Sequence, residues 1–523
     1  MSRSSKRPDP IELELFRHLF TSLAEEMGIV LRKTSYSANI KERRDYSCAL
    51  YNARGDAIAM GDHMPVHLGA MPASLEAARA AFPFDPGDVA LLNDPFQGGT
   101  HLPDITAVSG VFLGRERTPR FYVANRAHHA DVGGMSPGSM PMAREIYQEG
   151  IRIPPIKIIR RGRLDRELLS LILANVRTPV EREGDLLAQF MSLERGAARL
   201  HDAVSRYGLS AVERNSELLL DYSERMMRHA LSELPRGVFE FEDFLDNDGT
   251  SEQPLRICVR IALGGRSADI DFTGTAAQTQ GSVNANLPIT EAAVLYVFRC
   301  LLAEDVPFTS GLMRALRINA PPGTLVNARP PAAMAAGNVE TSQRITDVLL
   351  GALARAAPGR IPAASSGTMN NVTFGGHDSF RNRPFAYYET IAGGMGAHAT
   401  GAGLDATHTH MTNSWNTPVE AFEHLYPLRI RAYRVRPQSG GAGQHTGGRG
   451  VLKQFEFLTP AEVTILSDRR IRRPYGLAGG APGAPGRNLL GRKALPAKTR
   501  FAVPDGGLLT IETPGGGGFG PLS

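Results

Sequence analysis

The stretch from Asp104 to His128 constrains this chain more than any other. ITAVSGVFL (105–113) is followed by GRERTP (114–119) and then RFYVANRA (120–127). Two runs rich in β-branched and aromatic residues around a break containing Gly and Pro read as an antiparallel hairpin. Positions 104 and 128 are equidistant from residue 116, inside the break, so a ribbon folded there returns His128 to Asp104. Directly opposed residues hold their Cβ atoms about 4.5–5.5 Å apart. A slip of one residue would present His129 instead, because side chains alternate between the two faces.

The loop before the hairpin, NDPFQGGTHLPD (93–104), sets His101 three residues ahead of Asp104 with Pro103 stiffening the backbone between them. His101, Asp104 and His128 therefore converge, with His129 and Asp131 close by. Two imidazoles and a carboxylate form a three-ligand set for zinc, manganese or iron that leaves room for water. Each residue alone reads as an ordinary turn former, and it is their meeting through one hairpin that favours a metal. His63 and His67, in GDHMPVHLGAMP, have i,i+4 spacing, but Pro65 between them spoils a helical ligand pair. Structural or supporting roles are expected for both.

Length and periodicity set the frame around this hairpin. A chain of 523 residues is too long for one simple core. Asp9 and Pro10 start an amphipathic helix to about Leu31, with Phe16, Leu19, Phe20, Leu23 and Met27 as its stripe and Glu12 completing a capping-box pattern. YSCALYNARGDAIAM (46–60) reads as a second hairpin turning at Asn52–Gly55. A long helical region spans about 182–233, with a second capping box at Leu209–Glu213. From residue 237 the period shifts towards two, another helix is expected at 290–303, and the last hundred residues are glycine-rich. The expected fold is α+β and multi-domain, with largely antiparallel mixed sheets and packed helices. Its expected parts are an N-terminal α/β domain at 1–180 carrying the metal site, a helical segment at 181–236, and a β-rich α+β region with glycine loops at 237–523.

Several function classes drop out. Basic residues number 58 against 53 acidic, and neither arginine group (158–163, 467–476) is interleaved with aromatics, so no nucleic-acid surface is expected. No run of about 18 apolar residues predicts a membrane span, and MSRSSKRPDP leads into a charged segment rather than a signal peptide. Cys48, Cys258 and Cys300 lie far apart, which argues against a disulfide framework or thiolate zinc and for a reducing, cytoplasmic setting. A Walker A loop is excluded because no Gly-Lys pair occurs, so any ATP would bind another chain. GMSPG (134–138) matches a nucleophile elbow in letters only, since Pro137 has no N–H to offer an oxyanion.

NIKERRDYSCAL (39–50), HMPVHLGAMP (63–72), NDPFQGGTHLPD (93–104), HHADVGG (128–134), EGIRIPPIKI (149–158), GNVETSQR (337–344), TMNNVTFGG (368–376), HTHMTNSWNTPVEAFEHLYP (408–427) and TPGGGG (513–518) together resemble the hydantoinase B/5-oxoprolinase family over essentially the whole chain. The resemblance implies the B subunit of an ATP-dependent cyclic amidase in a hetero-oligomer. Its partner would be an A-type subunit that binds ATP-Mg and phosphorylates the ring carbonyl of a hydantoin or lactam. In its carboxylase relatives a His-x-x-Asp pair and a downstream histidine hold a divalent metal, and by resemblance these carry over to His101, Asp104 and His128. The other implied activity is that of an acetone- or acetophenone-type carboxylase subunit. Under the amidase reading His129 and Asp131 are the candidates for moving a proton. Asp94 is the candidate for orienting a ligating histidine, against a simple turn role. Glu340, Asn370 and Asn371 are candidates for binding substrate, against core or turn hydrogen bonding.

Overall fold

The computed structural model describes residues 9–61, 63–114, 116–302 and 305–522. Helix α1 (Pro10–Thr34), the one-turn α2 (Ala38–Lys41), strands β1 (Tyr46–Asn52) and β2 (Ala57–Met60), and helices α3 (Pro65–Leu68) and α4 (Met71–Ala81) lead into β3 (Val89–Leu92). Strands β4 (Asp104–Val111), β5 (Phe121–His128), β6 (Ile156–Arg160) and β7 (Arg163–Leu164) follow, then helices α5 (Arg166–Leu173), α6 (Pro179–Tyr207) and α7 (Leu209–Ser232). The seven strands form one antiparallel sheet in the order β2-β1-β5-β4-β3-β6-β7.

That sheet is covered on both faces. Ile105, Ala107 and Val123 pack into one apolar core with Phe16, Phe20, Leu23 and Met27 of α1 and Leu186, Phe190 and Leu193 of α6. Ala49, Tyr51, Val108 and Ala124 pack on the opposite face against Leu75 and Ala78 of α4. A central strand whose neighbours are buried on both sides tolerates a polar side chain only where it is paired. The polar end of the β4/β5 ribbon is therefore a singular place in the core.

The C-terminal part contains β8 (Gly237–Leu245), β9 (Leu255–Leu263) and β10 (Ala268–Asp271), helix α8 (Leu287–Arg299), β11 (Leu316–Asn319) and α9 (Ser342–Ala356). The second sheet runs β11-β10-β9-β8, and its β10/β11 pair is parallel. Beyond it come β12 (Asn371–Asp378), β13 (Arg383–Glu389), α10 (Val419–Leu425), β14 (Leu428–Val435), β15 (Val451–Phe457), β16 (Ala461–Leu466), β17 (Arg487–Leu490), β18 (Lys493–Leu495), β19 (Lys498–Val503) and β20 (Leu508–Glu512). They make two antiparallel sheets, β13-β12-β16-β19 and β14-β15-β20-β17-β18. The expected fold class, α+β with largely antiparallel sheets, is the observed one.

Two cap expectations fail for local reasons. Asp9 does cap α1, accepting from the Ile11 N–H, but Glu12 turns to Arg214 and Asn215 of α7. The break in the long helical region falls at Gly208, whose φ of +81° only glycine adopts without strain, so no side chain caps α7. Glu213, expected in a capping box, instead pairs with Arg120 of the 112–120 connection. The helix expected at 290–303 begins earlier, at Leu287, where Asn286 caps it, and residue 303 lies outside the described residues.

The glycine tracts do not behave as turns alone. Segments 393–397, 439–450, 476–486 and 513–520 lie side by side and exchange backbone bonds, such as Gly448 N–H to Met395 O, Gly516 N–H to Gly448 O and Gly441 N–H to Gly516 O. A Cβ on Gly516 would fall 2.0 Å from the Met395 carbonyl oxygen, and one on Gly448 would fall 1.9 Å from that of Leu404. Backbones this close leave no room for any side chain.

Candidate metal centre

The ladder puts Asp104 directly opposite His128, in the register that the turn arithmetic predicts. Side chains alternate along β5, so His128 shares its face with Ala124 and Arg126, whose guanidinium reaches Ser74 of α4. His129 turns the other way and hydrogen-bonds Gln189 of α6 at 2.9 Å. The loop carrying His101 is held by Asn93, whose amide donates to Leu102 O and Ile151 O and whose oxygen accepts from the Ile153 N–H. One ligand atom from each of His101, Asp104 and His128 then lies within 4.8 Å of the others.

These three side chains are buried to within 2% of complete. Asp104 Oδ1 lies 3.2 Å from His101 Nε2 and 3.3 Å from His67 Nε2. Its other oxygen accepts from Thr100 Oγ1 at 2.8 Å and from the Asn338 amide at 3.2 Å. His101 Nδ1 donates to the carbonyl of Ala335 at 3.1 Å, and its Nε2 faces Asp104 Oδ1 and the Asn338 amide nitrogen, each at 3.2 Å. His128 is clamped between Tyr388, stacked on its ring at 4.2 Å and 14°, and Asn39, whose amide donates to the His128 carbonyl. Asp104 Oδ1, His128 Nε2 and Asn338 Oδ1 are buried with no hydrogen-bond partner among the described residues.

Electrostatics match the geometry. Burial disfavours charge on Asp104, yet the imidazoles of His101 and His67 overcome it and hold the carboxyl well below its usual range. Burial also opposes charge on His101, but the Asp104 carboxylate beside it raises the ring's pKa. His128 is pushed well down by burial and then by the charge of His101, so it stays neutral, as a ligating imidazole must.

The other residues singled out from sequence go elsewhere. Asp131 is saturated by the N–H groups of Gly133, Gly138 and Arg177 and by the Arg177 guanidinium, which makes it a loop anchor. His129 is held on the α6 side and pushed down to about 4 by burial. Asp94 accepts from the Phe96 N–H and from Gln97 and pairs with Arg152, with no hydrogen bond to a histidine among the described residues. Asn370, at φ +49°, is fixed by Thr368, Ile391 and Arg470. Asn371 joins the site indirectly, since its oxygen accepts from the Tyr388 hydroxyl and its amide donates to Glu340. Glu340 keeps Oε2 unpaired, and burial pushes its carboxyl up to about 7.

His67 takes the supporting place expected of it, whereas Asp45, Asn338 and Glu149 went unread in the sequence. His67 reaches Asp104 because α3 is a single turn starting at Pro65, where proline fits the first helical position. Asp45 lies 3.9 Å from the same nitrogen, His67 Nε2. Asn338 arrives on a π-helical turn, Gly337–Thr341, that precedes α9. Glu149 accepts from the N–H groups of Met334 and Ala335, fixing the carbonyl that holds His101, while its own Oε2 is unpaired. Burial pushes Glu149 up to about 8. Motif context marked EGIRIPP and GNVETSQR, but nothing local tells which of their polar side chains turn inward.

A sequence model of the Hydantoinase B/oxoprolinase family matches residues 9–522. The chain belongs to the hydantoinase B/oxoprolinase family. It is 38% identical over 546 residues to 5-oxoprolinase 1 of Arabidopsis thaliana, covering 98% of this chain but 42% of that protein. It is 32% identical over 542 residues to the putative B subunit of a D-/L-hydantoinase from a Pseudomonas species, covering 98% of this chain and 90% of the relative. The crystal structure of the ATP-dependent caprolactamase from Pseudomonas jessenii superposes with a TM-score of 0.91 at 27% identity, over 99% of this chain and 92% of that one. The chain thus spans about two fifths of the 5-oxoprolinase and nearly all of the hydantoinase subunit. Among the described residues no helix is long and apolar enough to cross a membrane.

Proposed function

We propose that this chain is the ring-opening subunit of an ATP-dependent cyclic amidase, acting on a hydantoin or lactam whose carbonyl oxygen a partner ATPase subunit has phosphorylated. The observation that carries the reading is the meeting of His101, Asp104 and His128 in a buried nest where Asp104 Oδ1 and His128 Nε2 have no hydrogen-bond partner among the described residues. The donor set suits zinc, manganese or iron. A divalent cation held there would lower the pKa of water towards about 7 and furnish a nucleophile at neutral pH.

The chain's own residues supply the rest. Ala335 O fixes the tautomer of His101, Tyr388 and Asn39 fix the plane of His128, and Thr100 and Asn338 occupy the second oxygen of Asp104. Burial excludes bulk water, which protects an activated imidate from stray hydrolysis. The proton-handling role passes from His129 and Asp131 to His67, whose Nε2 faces Asp104 and whose Nδ1 lies 3.2 Å from Ser47 Oγ. The relatives support this division of labour. One is a separate hydantoinase subunit of similar length, and another is a 5-oxoprolinase more than twice as long.

The test is metal analysis of the purified chain beside Asp104→Ala, followed by reconstitution with the partner ATPase, ATP and a hydantoin, oxoproline or caprolactam. Wild type should carry about one divalent ion and open a ring, and Asp104→Ala should lose both properties. Equal metal content in the two proteins removes the centre as drawn. Bicarbonate-dependent carboxylation of a ketone, without ring opening, would replace amidase with carboxylase.

A further inference from the structure

The metal centre is sealed, so a substrate needs a landing place outside it. Helix α2 lies between the nest and the surface. Asn39 faces inward onto the His128 carbonyl, and Lys41, two residues on, lines a surface cleft. The next pair splits the same way. Arg43 is buried and bonds Asn39, Tyr388 O and Thr390, while Arg44 turns outward and lays its guanidinium 3.4 Å over the ring of Trp415. The backbone N–H of Trp415 donates to Arg43 O, so inner and outer walls are tied by one hydrogen bond. Arg44 sits at φ +55°, a conformation that non-glycine residues hold only when their surroundings fix it.

The cleft measures about 370 Å³ and is lined by Arg32, Lys33, Lys41 and Arg44 with Glu42 and Trp415. Four cations thus face one carboxylate. None of the four is in an ion pair among the described residues, whereas Arg195 and Arg199 both pair with Glu26 of α1. Trp415 is 54% exposed, unusual for the one tryptophan in 523 residues. Converging positive charge attracts an anion and steers it by long-range field. An exposed indole offers a flat apolar face for a ring. A volume of this size holds a small molecule, not a folded segment of another protein.

We infer that this cleft is the entry site of the centre and binds a small ring bearing a phosphoryl group, with the basic side chains on the phosphoryl and Trp415 on the ring. The inference rests on the amidase reading for the identity of the ring. It uses only the cleft for the chemistry of recognition.

Trp415 reports its own occupancy, being the chain's single tryptophan. The full-length chain is titrated with phenyl phosphate and with inorganic phosphate, at ionic strength held constant with chloride, while tryptophan emission is followed. A saturable change is expected, with phenyl phosphate half-saturating at least tenfold lower than inorganic phosphate. The Lys33→Ala/Lys41→Ala double variant, checked for native circular dichroism, should bind at least tenfold more weakly. Asp104→Ala should respond as wild type does, so loss of the metal centre and loss of the cleft are told apart. An absent response, or an unchanged one in the double variant, overturns the inference. Equal affinity for the two probes would make this a site for free phosphate and overturn the substrate assignment. A glutamate-rich peptide binding below the phenyl phosphate concentration would turn it into a docking surface for an acidic partner and overturn it as well.

Discussion

The β4/β5 ribbon and the glycine bundle near the C-terminus are both assembled by backbone hydrogen bonds, yet they do opposite things with side chains. The ribbon uses its ladder to aim side chains, setting Asp104 against His128. The bundle uses its bonds to bring bare backbones together, as where Gly516 meets Met395 and Gly448. In the first, chemistry depends on register. In the second, stability depends on the absence of a single carbon atom.

Gly516→Ala gives the largest expected effect. The new Cβ would meet a carbonyl oxygen at 2.0 Å that is itself locked in the bundle, so a loss of about 4 kcal/mol or more is expected. Thermal unfolding followed by circular dichroism measures it, and a loss under about 1 kcal/mol would show that the bundle yields easily. The ribbon is probed by His128→Ala beside His129→Ala. The first should reduce bound divalent metal at least tenfold. The second should retain metal and lose about 1–3 kcal/mol, because Gln189 is left without its partner in the core. Matching metal loss in both would mean that the register does not select the ligand.

Glu149→Gln sharpens the link between the ribbon and the segment around Ala335. Burial raises the Glu149 carboxyl to about 8, above its value in an unfolded chain, so folding favours the protonated form. Its contribution is fully present below pH about 4.5 and drains away as pH rises towards 8, since the unfolded chain ionises first. Glutamine has no proton to lose and can still accept from Met334 and Ala335. In metal-free protein the variant should therefore melt a few degrees higher than wild type at pH 8, with the gap closing by pH 4.5. A pH-independent gap would show that the carboxyl titrates normally. The smallest effect is expected at Gly506, which has φ +75° but nothing within 4 Å of an added Cβ. Gly506→Ala should cost about 1 kcal/mol, the backbone penalty alone.

The same contrast explains what could be read from the amino acids. Asp104 and His128 were legible because a tight hairpin converts sequence distance into spatial distance by counting. The helix starting at Pro10 was legible because its stripe of Phe16, Phe20 and Leu23 repeats at helical spacing. His67 was legible as a supporting residue, but not as a neighbour of Asp104, because Pro65 looked like a helix breaker when it stands at the first turn of α3. Asp131 and His129 were legible as neighbours of the centre but not as turned away from it, because that depends on Arg177 and Gln189, far along the chain. Asn338, Tyr388 and Glu149 come from segments with no short-range tie to the ribbon, and only tertiary packing brings them in. The glycine tracts were legible as loops but not as a bundle, since a glycine required by a distant neighbour, as Gly516 is by Met395, looks like one required by a turn.

The stacking of Tyr388 on His128 has a temporal consequence. During synthesis the two imidazoles and the acid leave the ribosome some 260 residues before the ring that covers them. Until β13 docks, His128 lacks the ring that stacks on it and the nest is open on that side. A cation bound there would therefore be loaded late, and a nascent fragment ending before residue 388 should exchange it freely.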